Sequence, residues 1–269
     1  MKKQITWVLA GAGSFFISLA VLAPLPVLVQ QIIRVAPEMQ FAGVSGTVWK
    51  GEIQRLTTPQ WRIDDLYWTF RPMWLLQGYL GADVNAQVQQ SVQVTGECGV
   101  SLFNNLKCEP LNLDAAAGDV AAQVPAVQEF NVQLAGALQG RFEQIFWNRD
   151  TVPVASGDVT WRDAVVQAPI AGELNLGGEY RAQIREAEQA EQALDIALES
   201  RESALVLDGT IAVMEDGRYN FEAFLKPSGE APANIANVLS LLGSPQSDGS
   251  VRLGEEGKLP GFASESVAD

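Results

Sequence analysis

The chain has 269 residues and no histidine, so it holds no Ser-His-Asp triad, no Cys-His pair and no histidine ligand for a metal. Its two cysteines are too few for a four-thiolate zinc site. The net charge is −14, and the part from Glu38 onward, with all 32 acidic and 15 of the 18 basic residues, carries −17. Phosphate binding needs clustered Lys or Arg, so nucleic acid is not expected as a partner; no catalytic site, metal site or cofactor is expected either.

An uncharged stretch, residues 5–29, follows Lys2 and Lys3 near the start of the chain. As a helix it would be about 37 Å long, which is enough to cross a bilayer core of about 30 Å. The two lysines favour a cytoplasmic N-terminus, so we predict a cytoplasmic tip at residues 1–4 and a transmembrane anchor at residues 5–25. The rest of the chain then lies in the periplasm, and the protein is expected in the cell inner membrane with a single pass.

Two prolines, Pro24 and Pro26, are expected to end the regular helix near Ala23, and residues 26–40 are expected to form a linker. A cleaved signal peptide is the competing interpretation. Pro24 directly after Ala23 is unfavourable for cleavage, which favours the uncleaved anchor. Both interpretations place the remaining chain outside the cytoplasm.

Past Arg34 the apolar residues recur with a period of two, which is typical of half-buried antiparallel strands. We predict a β-domain at residues 41–261 and a flexible tail at residues 262–269. The predicted strand segments are residues 44–56, 60–70, 82–94, 129–140 and 152–166. The fold class is therefore all-β: a transmembrane helix, then a curved antiparallel sheet or sandwich-like periplasmic domain with one or two short helices.

Glycine pairs and phase shifts mark the expected turns. Gly177-Gly178 and Asp216-Gly217 lie between alternating flanks and predict two tight hairpins. The alternation shifts by one residue at Asp64-Asp65, which predicts a bulge or bend.

Helical patterns are few. Residues 72–78 begin with proline and stop at glycine, which predicts a short capping helix. Residues 231–243 carry apolar residues at helical spacing and predict a second helix. Residues 185–200 are rich in Ala, Glu and Gln, but the alternation of apolar residues favours a strand over residues 193–200.

Cys98 and Cys108 are close in sequence and suit an oxidising compartment. We predict a disulfide that closes a short hairpin loop, with Asn104-Asn105 in its turn. The alternative is two unpaired buried thiols.

No motif for catalysis is found. Residues 43–51 do not match a phosphate-binding loop, because the lysine is followed by glycine and no βαβ pattern surrounds it. Asp64-Asp65 and Glu255-Glu256 are neighbours in predicted strands, so their side chains point to opposite faces and make poor acid–base pairs. A group of aromatic residues either fills a core or lines an apolar groove or membrane interface. It consists of Trp61, Tyr67, Trp68, Phe70 and Trp74.

Four segments together resemble the protein N family of the type II secretion system. Near the start these are GVSGTVWKGEI (43–53) and WTFRPMWLLQGYLGADV (68–84), and near the end DGRYNFEAFLKP (216–227) and ANVLSLLGSPQSDGSVRLGEEGKLPG (236–261). No such motif is found between about Gly118 and Ser200. The positions that carry the motifs, expected to be structural, are Gly43, Gly46, Trp49, Gly51, Trp68, Pro72, Leu241, Leu242 and Gly243.

The resemblance implies a non-enzymatic inner-membrane component of the machine that exports folded periplasmic proteins. Its partners would be other inner-membrane subunits of the secretion system, with the membrane contacted through the N-terminal helix. The family is similar to the wider AsmA-like group, some of whose members are linked to lipid traffic. The alternative function is therefore an AsmA-like protein whose β-groove binds or carries lipid.

Overall fold

The computed structural model describes residues 24–59, 61–89, 91–122, 127–128, 131–148, 151–169, 172–189, 191–229, 231–243 and 246–259. Within these ranges one sheet of 13 strands forms, and its spatial order is the order along the chain. The strands are β1 (Gln40–Gly46), β2 (Lys50–Thr57), β3 (Arg62–Arg71), β4 (Tyr79–Val88), β5 (Val92–Ser101), β6 (Leu106–Ala116), β7 (Gln133–Trp147), β8 (Val154–Ala168), β9 (Gly172–Glu186), β10 (Gln192–Arg201), β11 (Leu205–Met214), β12 (Arg218–Pro227) and β13 (Val251–Lys258).

Every neighbouring pair of strands is antiparallel. Antiparallel neighbours need only a short reversal of the chain, which the short connections between most strands provide. The prediction of an all-β antiparallel sheet is thus confirmed. The sandwich-like alternative is wrong, because each strand extends the same sheet instead of starting a second layer.

The sheet is strongly curved. Trp61, just before β3, and Val159, in β8, line one groove although five strand intervals separate β3 from β8. Five intervals measure about 24 Å along a flat sheet, too far for two side chains to line the same groove. The curvature brings these side chains together and makes the groove side of the sheet concave.

The two faces of the sheet differ in polarity. In the strand pairs, Trp68 lies opposite Val84, and Val94 lies opposite Leu113, on the apolar face. The intervening positions carry charged and amide side chains such as Asp83. Because side chains alternate between faces along a strand, the period of two in the sequence creates this division.

Buried apolar residues form three clusters. The first joins Leu25, Val29 and Ile53, near β1–β3. The second contains Ala164, Leu174, Leu176, Tyr180, Ile235, Leu239 and Val251. The third contains Val152, Ala193 and Val213. The core is therefore spread along the sheet instead of being gathered at one centre.

Helix α1 (Leu25–Val35) occupies much of the expected linker, residues 26–40. Pro24 is its N-cap and Pro26 lies in its first turn, where a missing N–H costs nothing. The prolines therefore begin a helix, and the helix end expected at Ala23 falls outside the described residues. Leu25 and Val29 bury one side of α1 against β1–β3.

No helix in the described part of the chain combines the length and apolar character needed to cross a membrane. The predicted anchor lies almost entirely on residues 1–23, which are outside the described ranges.

Three further helices have bounds that lie within the described residues. The predicted capping helix is confirmed as a 3₁₀ helix, Pro72–Gln77, ended by Gly78 in the left-handed region. The predicted C-terminal helix is confirmed as α3 (Ala233–Leu242). The five-residue helix α2 (Ala117–Ala121), which packs on β6 and β7, was not predicted.

The predicted turns have mixed outcomes. Asp216-Gly217 forms the hairpin turn between β11 and β12, with Gly217 at φ 82°, as expected. The shift at Asp64-Asp65 is confirmed as an irregularity in the β3–β4 register. The hairpin at Gly177-Gly178 is wrong: both glycines have positive φ but lie inside β9, near a shift in the register with β8. There they accommodate a bulge, and the chain continues in the same direction.

The strand predicted over residues 82–94 is also wrong in extent. β4 ends at Val88 and the antiparallel β5 begins at Val92, so the chain reverses between them. The alternation continues through the reversal, so the pattern alone does not reveal it. The strand predicted over residues 193–200 is confirmed as β10.

Candidate functional site

The segment 43–53 forms a hairpin, not the single strand that its loose alternation predicted. β1 ends at Gly46, with φ 88°, and β2 begins at Lys50. The Thr47 N–H donates to the Lys50 carbonyl at 2.8 Å and closes the turn. Trp49 thus lies in the turn and is half-buried.

Gly51 leaves room for the indole of Trp68. The two residues are paired across β2 and β3, and a Cβ built on Gly51 would lie 2.3 Å from the Trp68 ring. The Trp68 indole N–H donates to the Val48 carbonyl at 2.8 Å, which fastens the β1–β2 turn to β3. A larger residue at 51 would displace the ring and with it this hydrogen bond.

Trp49 packs edge-on against Phe70, with 4.6 Å between the ring centroids. The Phe70 N–H also donates to the Trp49 carbonyl at 2.7 Å. Gly43, with φ 64°, is exposed in β1 and faces the Gln54 side chain. The motif residues of the first two segments therefore meet in one corner of the sheet.

The 3₁₀ helix that begins at Pro72 continues this corner. Its Trp74 is buried over two glycines, because a Cβ on Gly81 or Gly99 would come within 2.2 Å and 2.6 Å of the Trp74 side chain. The Trp74 indole N–H donates to Glu97 at 3.3 Å. The helix is thereby fixed across β4 and β5.

The structure joins Cys98 in β5 to Cys108 in β6 by a disulfide, in agreement with the prediction. The two residues are directly paired across the strands, and the described residues include no free cysteine. Asn104, with φ 63°, lies in the turn that the bridge closes.

The C-terminal motif positions lie elsewhere. Leu241 and Leu242 form the last turn of α3, and Gly243 follows it with its N–H donating to Leu239 at 3.3 Å. A Cβ on Gly243 would lie 2.9 Å from Val251. The structure places these positions at the β12–β13 edge and does not bring them to the Trp49 corner.

The concave face holds an apolar groove of about 380 Å³. Its lining residues are Trp61, Val88, Val92, Val94, Leu113, Ala115, Val120, Leu138, Gly140 and Val159. A groove that binds lipid needs contiguous apolar side chains without a second sheet over them, and these residues meet that condition. Only Trp61 was singled out from the sequence. The others are ordinary alternating strand positions, apart from Val120 in α2, and they are separated by up to 71 residues.

The opposite face carries ion pairs both within and between strands. Asp64 accepts hydrogen bonds from Arg62 at 2.8 Å and Arg55 at 2.9 Å. Hydrogen bonds from Arg62 first, and then from Arg55, hold the pKa of Asp64 below its usual value. The bonds from Arg71 to Asp83 and its attraction to Glu97 raise the pKa of Arg71. These charges satisfy one another, which is the pattern of a solvated sheet face.

Among the described residues no group of three or more His, Cys, Asp or Glu side chains is placed to hold a metal ion. The buried side-chain nitrogen and oxygen atoms in the same part of the chain all have hydrogen-bond partners. What the geometry offers is surfaces: an apolar concave face, a charged outer face and two sheet edges.

The model of one protein family, type II secretion system protein N, matches residues 37–254. The chain belongs to this family. It is 25% identical over 244 residues to type II secretion system protein N of Vibrio cholerae, which covers 88% of this chain and 89% of the relative. It is 25% identical over 222 residues to the protein of the same name from Aeromonas hydrophila, covering 82% of this chain and 85% of that one.

A third relative, protein N of Pectobacterium carotovorum, is 24% identical over 226 residues, covering 82% of this chain and 84% of the relative. No solved structure matches the chain. The protein N match includes residues 118–200, where no family motif was found. It also runs from before β1 into β13, so the family relationship extends over the whole sheet.

Proposed function

We propose that the chain is a non-enzymatic, inner-membrane-anchored component of the type II secretion system that supports export of folded periplasmic proteins. Residues 5–25, within the uncharged stretch, are its transmembrane anchor, and the sheet lies in the periplasm. The observation that carries the proposal is the match to the secretion protein N family over residues 37–254. The sheet described above is therefore the part of the protein that the family shares.

The attachment of the sheet to the end of the uncharged stretch supports the proposal that the sheet is anchored to the membrane. Pro24 pairs with Thr47 in an isolated bridge at the β1–β2 turn. Helix α1 then packs on β1–β3. A sheet fastened so close to the end of the run stays next to the membrane, which raises its effective concentration for neighbouring inner-membrane subunits.

Contact between surfaces is the proposed mode of action. β1 and β13 are the edges of the sheet, and edge strands carry backbone groups on which a partner can add a strand. The charged outer face offers further pairing to complementary subunits.

Export after gene deletion tests the proposal. Secreted enzymes should accumulate in the periplasm when the gene is deleted, and the full chain should restore their export. The sheet joined to an unrelated transmembrane helix should restore export in part, while a soluble form should need overexpression. Normal export in the deletion strain contradicts the proposed role.

N-terminal sequencing of the mature protein should find the anchor present; a start near residue 24 means a cleaved signal peptide.

Crosslinking in intact membranes should capture another inner-membrane secretion subunit. If purified protein instead carries stoichiometric phospholipid and no secretion subunit is captured, the lipid-carrier alternative replaces this proposal, with the apolar groove as its site.

A further inference from the structure

One end of the sheet, the end that Pro24 reaches, carries large exposed apolar side chains. Because consecutive strands alternate in direction, the β1–β2, β3–β4 and β5–β6 connections all lie at one end of the sheet. Pro24 lies at this end too, through its bridge to Thr47. We name it the anchor end, since the uncharged run reaches the sheet here.

Two connections at the anchor end expose large apolar side chains. We name this set the apolar rim; it consists of Met73, Leu75, Leu76, Leu102 and Phe103, with 69%, 51%, 81%, 91% and 88% of their surfaces exposed. Leu80 and Val100, paired across β4 and β5, are also exposed and lie on the face of the sheet opposite the 3₁₀ helix. Exposed apolar surface in contiguous patches marks an interaction site in soluble domains and at membranes.

The rim is free of charge although the chain is strongly acidic. Residues 72–82 and 98–106 contain no Asp, Glu, Lys or Arg. At the same end, the β9–β10 and β11–β12 connections contain Glu188, Glu191, Glu215 and Asp216. Anionic headgroups repel such carboxylates, so only the β1–β6 part of this end suits a bilayer surface.

The rim is held rigidly. Trp74 lies buried over Gly81 and Gly99, which leaves its neighbours Met73 and Leu75 pointing away from the sheet. The Cys98–Cys108 disulfide closes the base of the β5–β6 hairpin that carries Phe103. Side chains presented on fixed loops lose little conformational entropy when they bind.

The distance to the anchor fits a second membrane contact. Four strand intervals separate the β1–β2 turn from the β5–β6 turn, which is about 19 Å along the sheet. An anchor that ends at Pro24 would hold the rim at the bilayer surface, where Leu and Phe side chains bury apolar area among the headgroups and acyl chains.

We propose that the apolar rim inserts into the periplasmic surface of the bilayer beside the anchor, so that two contacts orient the sheet on the membrane. This inference rests on the proposed function in one respect, that the uncharged run is a membrane anchor. The occupant is lipid; a protein partner at the rim is a separate outcome of the test.

Photocrosslinking of the full-length protein in its native membrane tests this. Benzoylphenylalanine is placed singly at Phe103 and at Leu76, both highly exposed, so the substitution leaves the fold intact; a retained disulfide on a non-reducing gel checks this. The matched controls are Glu215, at the same end but in the acidic part, and Glu202, exposed at the opposite end. Intact mass spectrometry then measures phospholipid adducts.

We expect at least tenfold more phospholipid adduct at Phe103 and Leu76 than at the two controls. Equal yields at all four positions, or protein adducts in place of lipid at the rim, overturn the inference. Membrane fractionation of the same variants separates the two proposals. A membrane-bound protein without rim adducts refutes only the rim contact, whereas a protein found in the soluble fraction refutes the anchor itself.

Discussion

Gly51 and Trp68 fit together across β2 and β3, with the place of a Gly51 Cβ only 2.3 Å from the indole ring. The same indole donates to the Val48 carbonyl in the β1–β2 turn. One pair of residues thus fixes both the strand spacing and the turn that bridges to Pro24.

Gly51→Ala should destabilise the protein by about 1–3 kcal/mol, the usual cost of overpacking, because the Trp68 ring must move and lose its hydrogen bond. Thermal unfolding of the purified full-length protein measures this. Gly229→Ala is the matched control, since its Cβ would meet nothing within 4 Å. Equal melting temperatures for the two variants would refute the packing role of Gly51.

Trp49→Ala should lower stability, although by less than truncation of a fully buried aromatic, since Trp49 is half-buried in a turn. The loss of its edge-on pairing with Phe70 alone is expected to cost about 0.5–1.5 kcal/mol. Trp49→Phe, which keeps a ring, should restore most of this in the same melting experiment. Normal stability with lost export would mean that Trp49 contacts a partner.

Reduction of the Cys98–Cys108 bridge should destabilise the β5–β6 hairpin. A disulfide that closes a short loop contributes about 3 kcal/mol in the chain-entropy model. Cys98→Ser with Cys108→Ser should therefore melt at a lower temperature than the oxidised wild type, and at nearly the same temperature as the reduced wild type. Labelling of both thiols in native, non-reduced protein would contradict the bridge.

Asp64 should make stability depend on pH in the acid range. Since its folded pKa lies below the unfolded value of about 3.9, its contribution is present above that value and is lost as the pH falls through the folded pKa. Asp64→Asn should thus melt below the wild type at pH 7, and the difference should shrink toward pH 2. Asp65→Asn, at the exposed neighbouring position, is the control; a pH-independent difference for Asp64→Asn refutes the ion-pair role.

Local patterns predicted much of this sheet from the sequence. Short sequence patterns correctly predicted the Asp216-Gly217 turn, the helix that begins at Pro72 and strand β10. These patterns are a glycine in a turn, a proline at a helix start and alternating apolar residues. The prediction at Gly177-Gly178 was wrong, because glycines with positive φ occur in bulges as well as in turns. Only the register with β8 distinguishes the bulge from the turn. The hairpins at residues 46–50 and 88–92 were missed since the alternation passes through them unbroken.

The surfaces were harder to predict than the strands. The groove combines side chains from Trp61 to Val159, and only the curvature of the sheet brings them together. Curvature depends on twist and bulges summed over many strands, which no single segment encodes. The apolar rim had a signal in two uncharged segments, but their neighbouring position depends on the β4–β5 register.

The sequential order of the 13 strands has a consequence for biogenesis. A chain is synthesised from its N-terminus, and each new strand here pairs with the one made just before it. Pairings between neighbouring strands are therefore close in sequence, and the sheet can extend one hairpin at a time. β13 then completes the growing edge only after α3 has emerged, so the C-terminal motif is made last.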